Sequence, residues 1–332
     1  RKSKLLTIAQ EPGKLEVETG VPLVGPSGQQ YEFGLAEGGL TRSEVSQTNV
    51  LLCKPPEDLD LYLRKLKSAG KPSPIDCCLP RLKKDIEESD AEVVLTLGSH
   101  ALKTVAKIYN VPHGKGRKER PGEIRIANLS DQRGRPVILP DKKILYSTYH
   151  PAFALRGERH LLHVIREDIA RAAKHGNEEG SEDTEPDFLV EPSLEEVRRF
   201  LSYMIGCEIT VDIETDGLGR DARIRCIGLG RQRNIASIPL RKMNGAAWWS
   251  EDQDAEIRSL LRKTLDESTL LFHNGIFDTS VLMREGLLSK EKYWNDSLLA
   301  HHASREVDCP HDLGFVSSRF SAAPLWKSDV DH

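Results

Sequence analysis

The chain has 332 residues and a net charge of −4, a length better served by two hydrophobic cores than by one. That charge excludes a protein that coats nucleic acid through its overall field, leaving only local basic patches, and no stretch approaches the roughly 18 consecutive apolar residues of a membrane span. The six cysteines, at 53, 77, 78, 207, 226 and 309, are too irregularly spaced for a disulfide framework and fit a reducing, cytoplasmic setting.

In chain order, the first residue is Arg1 and no charged-then-apolar leader follows, so the N-terminus reads as a cut end. Apolar strand-like runs follow at LLTIA, VSQTNVLLC, EVVLTLG and KILYSTY. Between them lie helical patterns such as RLKKDIEES and SHALKTVAKIY, and this alternation predicts an α/β layer fold with a largely parallel sheet. Loops at the carboxyl ends of such strands build the site, which brings AQEPG, Asn49, LGSH and YHP to one rim. RHLLHVIREDIARAAKH closes a first domain over 1–174, and residues 175–187, rich in Gly and acids, read as a linker.

A second domain over 188–332 opens with a short strand at FLV and a helix for which Ser193 and Glu196 form a capping box. VDIETDG then ends an apolar strand with Asp212 and Glu214 on one face, about 7 Å apart. Two carboxylates so placed suit Mg²⁺ or Mn²⁺; the pattern also fits a solvated strand end entering the turn at Asp216 and Gly217. Downstream come the helix DQDAEIRSLLRKTLDES, the strand TLLFH and the segment HNGIFD, in which Asn274 and Asp278 share a helix face. Two basic runs, HGKGRKER and GRDARIRCIGLGRQR, read equally well as nucleic-acid patches or as solvated surface.

Five segments of the first domain, AQEPGKLEVETGVPLVGPSGQQ, TNVLLCKPP, CCLPRL, LTLGSHAL and STYHPAFALRG, resemble the iron–sulfur family 4 type of the uracil-DNA glycosylase superfamily over roughly residues 4–157. The resemblance implies a three-layer α/β/α fold around a parallel sheet and excision of uracil flipped out of DNA. It implies that Asn49 reads the base edge, that His150 sits by a base carbonyl, and that Pro26, Ser27 and Gly28 press the DNA backbone. The chain departs from the pattern in three places: Gln10 stands where the family has Glu, Glu16 and Val17 stand where it has an acidic pair, leaving one carboxylate, and Leu23 stands where it has the stacking Phe. Reduced or absent glycosylase activity is therefore expected. Cys53 and Cys78 fall on the last two ligands of a four-cysteine 4Fe–4S cluster whose first two ligands the chain lacks; both also fit as reduced core thiols.

In the second domain, DIE followed by NGIFD resembles the DEDD 3′–5′ exonuclease superfamily, with its ribonuclease H-like α/β fold, and within it the proofreading domain of phage-type family A DNA polymerases. The resemblance implies that Asp212, Glu214 and Asp278 hold two Mg²⁺ or Mn²⁺ ions, that Asn274 positions the strand end, and that Asp296 is a supporting acid. The expected partners are DNA, single-stranded or at a primer 3′ end, and a covalently linked polymerase domain. The fourth carboxylate of the superfamily belongs to a later motif, and the chain stops at WKSDVDH, so this stretch by itself is expected to be catalytically impaired. The rival expectation is a non-catalytic DNA-binding module.

Overall fold

The computed structural model describes residues 3–113, 126–177, 187–304 and 310–320. The basic run after His113, most of the linker, and the terminal WKSDVDH lie outside the described residues. The chain divides into two compact units, Arg1–Ser181 with Asp308–His332, and Glu182–Val307.

The first unit contains β1 (Leu5–Ala9), α1 (Lys14–Thr19), α2 (Pro26–Glu37), β2 (Val45–Asn49), α3 (Leu59–Ser68), α4 (Pro74–Glu88), β3 (Val93–Leu97), α5 (Ser99–Ile108), α6 (Leu129–Gln132), β4 (Val137–Ile138), β5 (Ile144–Thr148), α7 (Pro151–Leu155) and α8 (Leu162–Asn177). Its sheet runs β2-β1-β3-β5-β4, parallel except for the short edge strand β4. β1 and β3 are buried at every position, as continuous apolar runs in a sheet covered on both faces must be. Alternation divides β1 between two cores. Leu6 and Ile8 join residues of α4 and α5, whereas Leu5 and Ala9 join residues of α2 and α8, which gives the three layers expected.

Two local features differ from the sequence expectation. α4 starts at Pro74 and carries Pro80 inside it, earlier than the helix predicted from Arg81. β2 ends at Asn49 and not at Cys53, because beyond it the amides of Val50 and Leu51 turn to the carbonyls of Ala9 and Gln10.

The second unit contains β6 (Asp187–Val190), α9 (Leu194–Met204), β7 (Glu208–Thr215), β8 (Ile224–Arg231), β9 (Asn234–Pro239), α10 (Glu251–Glu267), β10 (Thr269–Phe272), α11 (Ile276–Arg284), β11 (Trp294–Asp296) and α12 (Ser297–Ser304). Its sheet order is β11-β10-β7-β8-β9-β6. β8 runs antiparallel to both β7 and β9, while β10 and β11 run parallel to β7. A three-strand antiparallel meander continued on its first strand by two parallel strands is the ribonuclease H-like arrangement. Ser193 and Glu196 form the predicted capping box on α9, and Ser250 with Gln253 forms a second one on α10. Val211, Ile213, Ile227 and Leu229 pack on one face against Leu201, Ile257 and Leu261 of α9 and α10. The opposite face of β7 is left free for Asp212 and Glu214.

The last described helix, α13 (Leu313–Phe320), belongs to the first unit, whereas the sequence reading assigns all of 188–332 to the second domain. Arg135 donates to the carbonyl of Gly314 at 2.7 Å, and the Arg133 guanidinium lies 5.1 Å over the Phe315 ring. No helix among the described residues is long and apolar enough to cross a membrane.

Candidate functional site

In the second unit the strict alternation of β7 directs Asp212 and Glu214 away from the core between them. Pairing of β10 with β7 stops at Thr210, and α11 begins just beyond β10, bringing Asp278 alongside the next stretch of β7. There the Ile213 amide donates to Asp278 Oδ1 at 3.2 Å. Burial, then the charges of Asp278 and Glu214, push the Asp212 carboxyl up to about 6. Burial also raises Asp278, with Glu214 and Asp296 adding to it, although backbone amides pull the other way. Three sequence-predicted acids thus share one field. Among the described residues no three His, Cys, Asp or Glu side chains form a ready metal-binding group, so these acids stand close enough to repel one another without already forming a chelate. Their oxygen-only donor set fits Mg²⁺ or Mn²⁺ and not zinc.

Asn274 does not share a helix face with Asp278 as expected, because α11 begins only at Ile276; it lies at the preceding turn in the left-handed region, φ 63°, and Gly275 follows with its Cα packed so tightly that a Cβ would come 2.4 Å from that of Phe272. Asp296 holds this turn. Its carboxylate accepts from the amides of Asn274 (3.1 Å), Gly275 (2.8 Å), Leu298 (2.8 Å) and Leu299 (3.2 Å). Burial works against the charge, but these amides hold Asp296 below the usual carboxylate range. Asp296 therefore connects the start of α12 to the loop that positions Asp278.

The carboxyl ends of β1, β2, β3 and β5 converge on one rim of the first unit, as parallel strands require. Gln10 leaves β1 and lies over Gly98, where a Cβ would meet its Nε2 at 2.5 Å. Asn49 ends β2, 5% exposed, with Oδ1 lacking a hydrogen-bond partner. Arg81 of α4 fixes this strand end, donating to the carbonyls of Asn49 (2.6 Å) and Val50 (2.8 Å). His150 caps α7, its Nδ1 accepting from the Ala152 amide at 3.2 Å, which leaves the ring hydrogen on Nε2. Burial and then Arg156 lower His150 to about 4, so the ring is neutral at physiological pH.

Other predicted positions occupy different surroundings. Leu23 is 2% exposed and packs in the core with Tyr31, Leu35 and Ile165, so its side chain is not presented to a base. Ser27 stands in the first turn of α2, next to Gly28, whose Cβ would come 1.8 Å from the Leu23 carbonyl oxygen. Glu16 caps α1 through the Gly13 amide at 3.0 Å. Cys53 is an exposed free thiol, and Cys78 packs beside the core. With no converging thiolates among the described residues, this donor set does not fit a four-cysteine cluster.

Glu11 escapes a reading that stops at Gln10. Its Oε2 is buried without a partner, and burial, then Asp58, raises its carboxyl, while Arg156, the residue whose charge also bears on His150, lowers it. The sequence signal was an acid inside a Gly- and Pro-dense loop. Arg81 gave none beyond its place in an amphipathic helix.

A parallel-sheet unit with polar atoms gathered at one strand-end rim, joined in the same chain to a mixed sheet with an acidic strand end, defines a two-domain α/β protein. Residues 1–170 match the Uracil DNA glycosylase superfamily, just over half of the chain, and the protein belongs to that superfamily. A type-4 uracil-DNA glycosylase of Sulfurisphaera tokodaii is 27% identical over 174 residues, covering 51% of this chain and 69% of its own length. A DNA polymerase of Bacillus phage SP01 is 21% identical over 299 residues, 84% of this chain but 30% of the polymerase. The catalytic core of RRP6 from Trypanosoma brucei superposes with a TM-score of 0.34 and 16% identity over 46% of this chain and 40% of that one.

Proposed function

We propose that the second unit is a metal-dependent 3′–5′ exonuclease acting on DNA strand ends as the proofreading module of a phage-type DNA polymerase, with the superfamily unit preceding it. The observation that carries this reading is the shared field of Asp212, Glu214 and Asp278, the last tied to β7 through the Ile213 amide. Mutual repulsion of neighbouring carboxylates is relieved by a divalent cation, and Asp212, Glu214 and Asp278 are the residues that would hold Mg²⁺ or Mn²⁺. Such ions supply Lewis-acid activation of water and of the phosphodiester. Asp278 keeps its reach to the strand through the Ile213 amide, and Asp296 locks the Asn274 turn from which the strand end is positioned. Similarity to a phage DNA polymerase over 84% of this chain supports the replication setting. Mn²⁺ titration followed by electron paramagnetic resonance tests the reading: binding that Asp212→Asn and Glu214→Gln abolish supports it, and unaltered binding in both refutes it.

A second reading applies to the first unit. The unpartnered Asn49 Oδ1, buried at the rim that also carries a neutral His150 after β5, favours recognition of a uracil edge. Gln10 carries no charge, and Leu23 does not supply a stacking ring, which favours weak excision at most. Measuring free uracil released from a uracil-containing oligonucleotide separates weak excision from turnover typical of a type-4 enzyme.

A further inference from the structure

Beside the three acids the sheet of the second unit carries a concavity of about 400 Å³. Its floor follows one row across the meander, where Glu214 pairs with Cys226 and Cys226 with Pro239. Its lining sets Arg225, Arg241 and Lys242, with Trp248, against Glu191 and Glu214, so Glu214 borders both the acidic cluster and a hollow in which cations outnumber acids. Gly228 stands opposite Asp212, and Gly230 opposite Thr210, leaving this part of the face without side-chain bulk.

The cations of the hollow are poorly used within the protein. Arg225 donates to the thioether of Met243 at 3.2 Å, a weak acceptor, and neither Arg225 nor Lys242 forms an ion pair among the described residues. Arg241 reaches Glu285 at 3.6 Å through Nη2, while its Nε is buried and unpartnered. Trp248 is half-buried and, unlike Trp249, whose indole N–H donates to the Pro239 carbonyl, lines the hollow. Arg225 and Lys242, without carboxylate partners among the described residues and next to an aromatic face, are what a polyanionic strand with stackable bases requires.

We propose that this hollow is a subsite for single-stranded nucleic acid, in which Arg225 and Lys242 neutralise backbone phosphates and Trp248 stacks a base as the strand leaves the acidic cluster. The assignment rests on the exonuclease reading for the strand's polarity but not for its binding. It also gives the basic run GRDARIRCIGLGRQR a part, since Arg225 comes from it.

Fluorescence anisotropy with 5′-fluorescein oligothymidylate in EDTA, run on the whole chain at several salt concentrations, tests the subsite. Arg225→Ala with Lys242→Ala is expected to weaken binding about tenfold and to reduce the log–log salt slope by about 1.4, the release expected for two single-strand phosphates. Arg225→Lys with Lys242→Arg is expected to restore the slope, which a merely structural role would not predict. A 5-iododeoxyuridine placed near the 3′ end is expected to photo-crosslink to Trp248. Unchanged affinity and slope in the alanine pair, or displacement of the oligonucleotide by polyglutamate at equal charge concentration, would overturn the subsite. Digestion of labelled DNA with Mg²⁺, measured in parallel for the wild type and Asp212→Ala, separates the two claims: loss in Asp212→Ala with an unchanged salt slope in the alanine pair sinks the subsite alone. A changed slope without any metal-dependent cleavage by the full-length protein sinks the exonuclease reading alone.

Discussion

The carboxylate of Asp278 accepts the backbone amide of Ile213 at 3.2 Å, so an acid from α11 is fastened to the strand segment between Asp212 and Glu214. This contact makes the three-acid arrangement a property of the backbone and not of side-chain chance. Asp278→Asn retains an oxygen that can accept the amide but loses the charge. It is expected to keep the thermal midpoint within a few degrees while lowering metal-dependent cleavage by about 100-fold or more, in the range of losing an electrostatic catalytic group. Differential scanning fluorimetry beside a cleavage assay checks both halves.

The pH dependence follows from Asp212, raised to about 6. Between its ordinary range and that value the folded state binds more protons than the unfolded one, so the metal-free protein loses stability as pH rises through this window. The penalty is present in full above about pH 6, where Mg²⁺ should offset it. Melting curves in EDTA are expected to show a midpoint that falls from pH 4 to pH 7. The fall should be smaller in Asp212→Asn and largely reversed by Mg²⁺ in the wild type.

Asp296 is expected to act on stability and on the Asn274 turn, not on chemistry directly. Its removal in Asp296→Ala strands four amides that now donate to it. The expected cost is about 2–4 kcal/mol, since each bond to a charged group contributes on the order of 1.5–3 and the freed amides regain some water. Urea denaturation followed by circular dichroism measures it, and a midpoint equal to the wild type would remove Asp296 from this role.

In the first unit the departures at Gln10 and Leu23 predict opposite responses. Gln10→Glu restores a carboxylate at the rim and is expected to increase uracil release by about tenfold or more, within the usual range for a positioned acid–base group. Leu23→Phe is expected to fail as a rescue and to cost about 1–3 kcal/mol, because a residue 2% exposed in a packed core has no room for a ring. Glu11→Gln is expected to lower whatever excision the wild type shows. Uracil release and thermal unfolding, measured on the same three variants, separate these outcomes.

Much of this arrangement was legible in the residues themselves. LLTIA and EVVLTLG read as strands of a largely parallel sheet because each is a mostly apolar run without polar alternation, and VDIETDG displayed its two faces because alternation there is strict. The β8–β9 meander was harder to read. Its turn uses Gln232 at φ 54° instead of an Asn-Gly pair, and Gly228 and Gly230 occupy the outward positions where polar residues would mark the pattern. The work of Asp296 is invisible in sequence, since it captures backbone amides that every residue possesses. The inward turn of Leu23 depends on φ 50° and on Gly28 lying against its carbonyl, a tertiary fit that no periodicity encodes.

The central claim is that Asp212, Glu214 and Asp278 form the metal-dependent centre of a 3′–5′ exonuclease. Its most direct test is digestion of a 5′-labelled single-stranded oligonucleotide by the full-length protein with Mg²⁺, compared with the same protein carrying Asp212→Ala. The account predicts a ladder shortening from the 3′ end that EDTA stops and Asp212→Ala eliminates; an undiminished ladder in Asp212→Ala would contradict it.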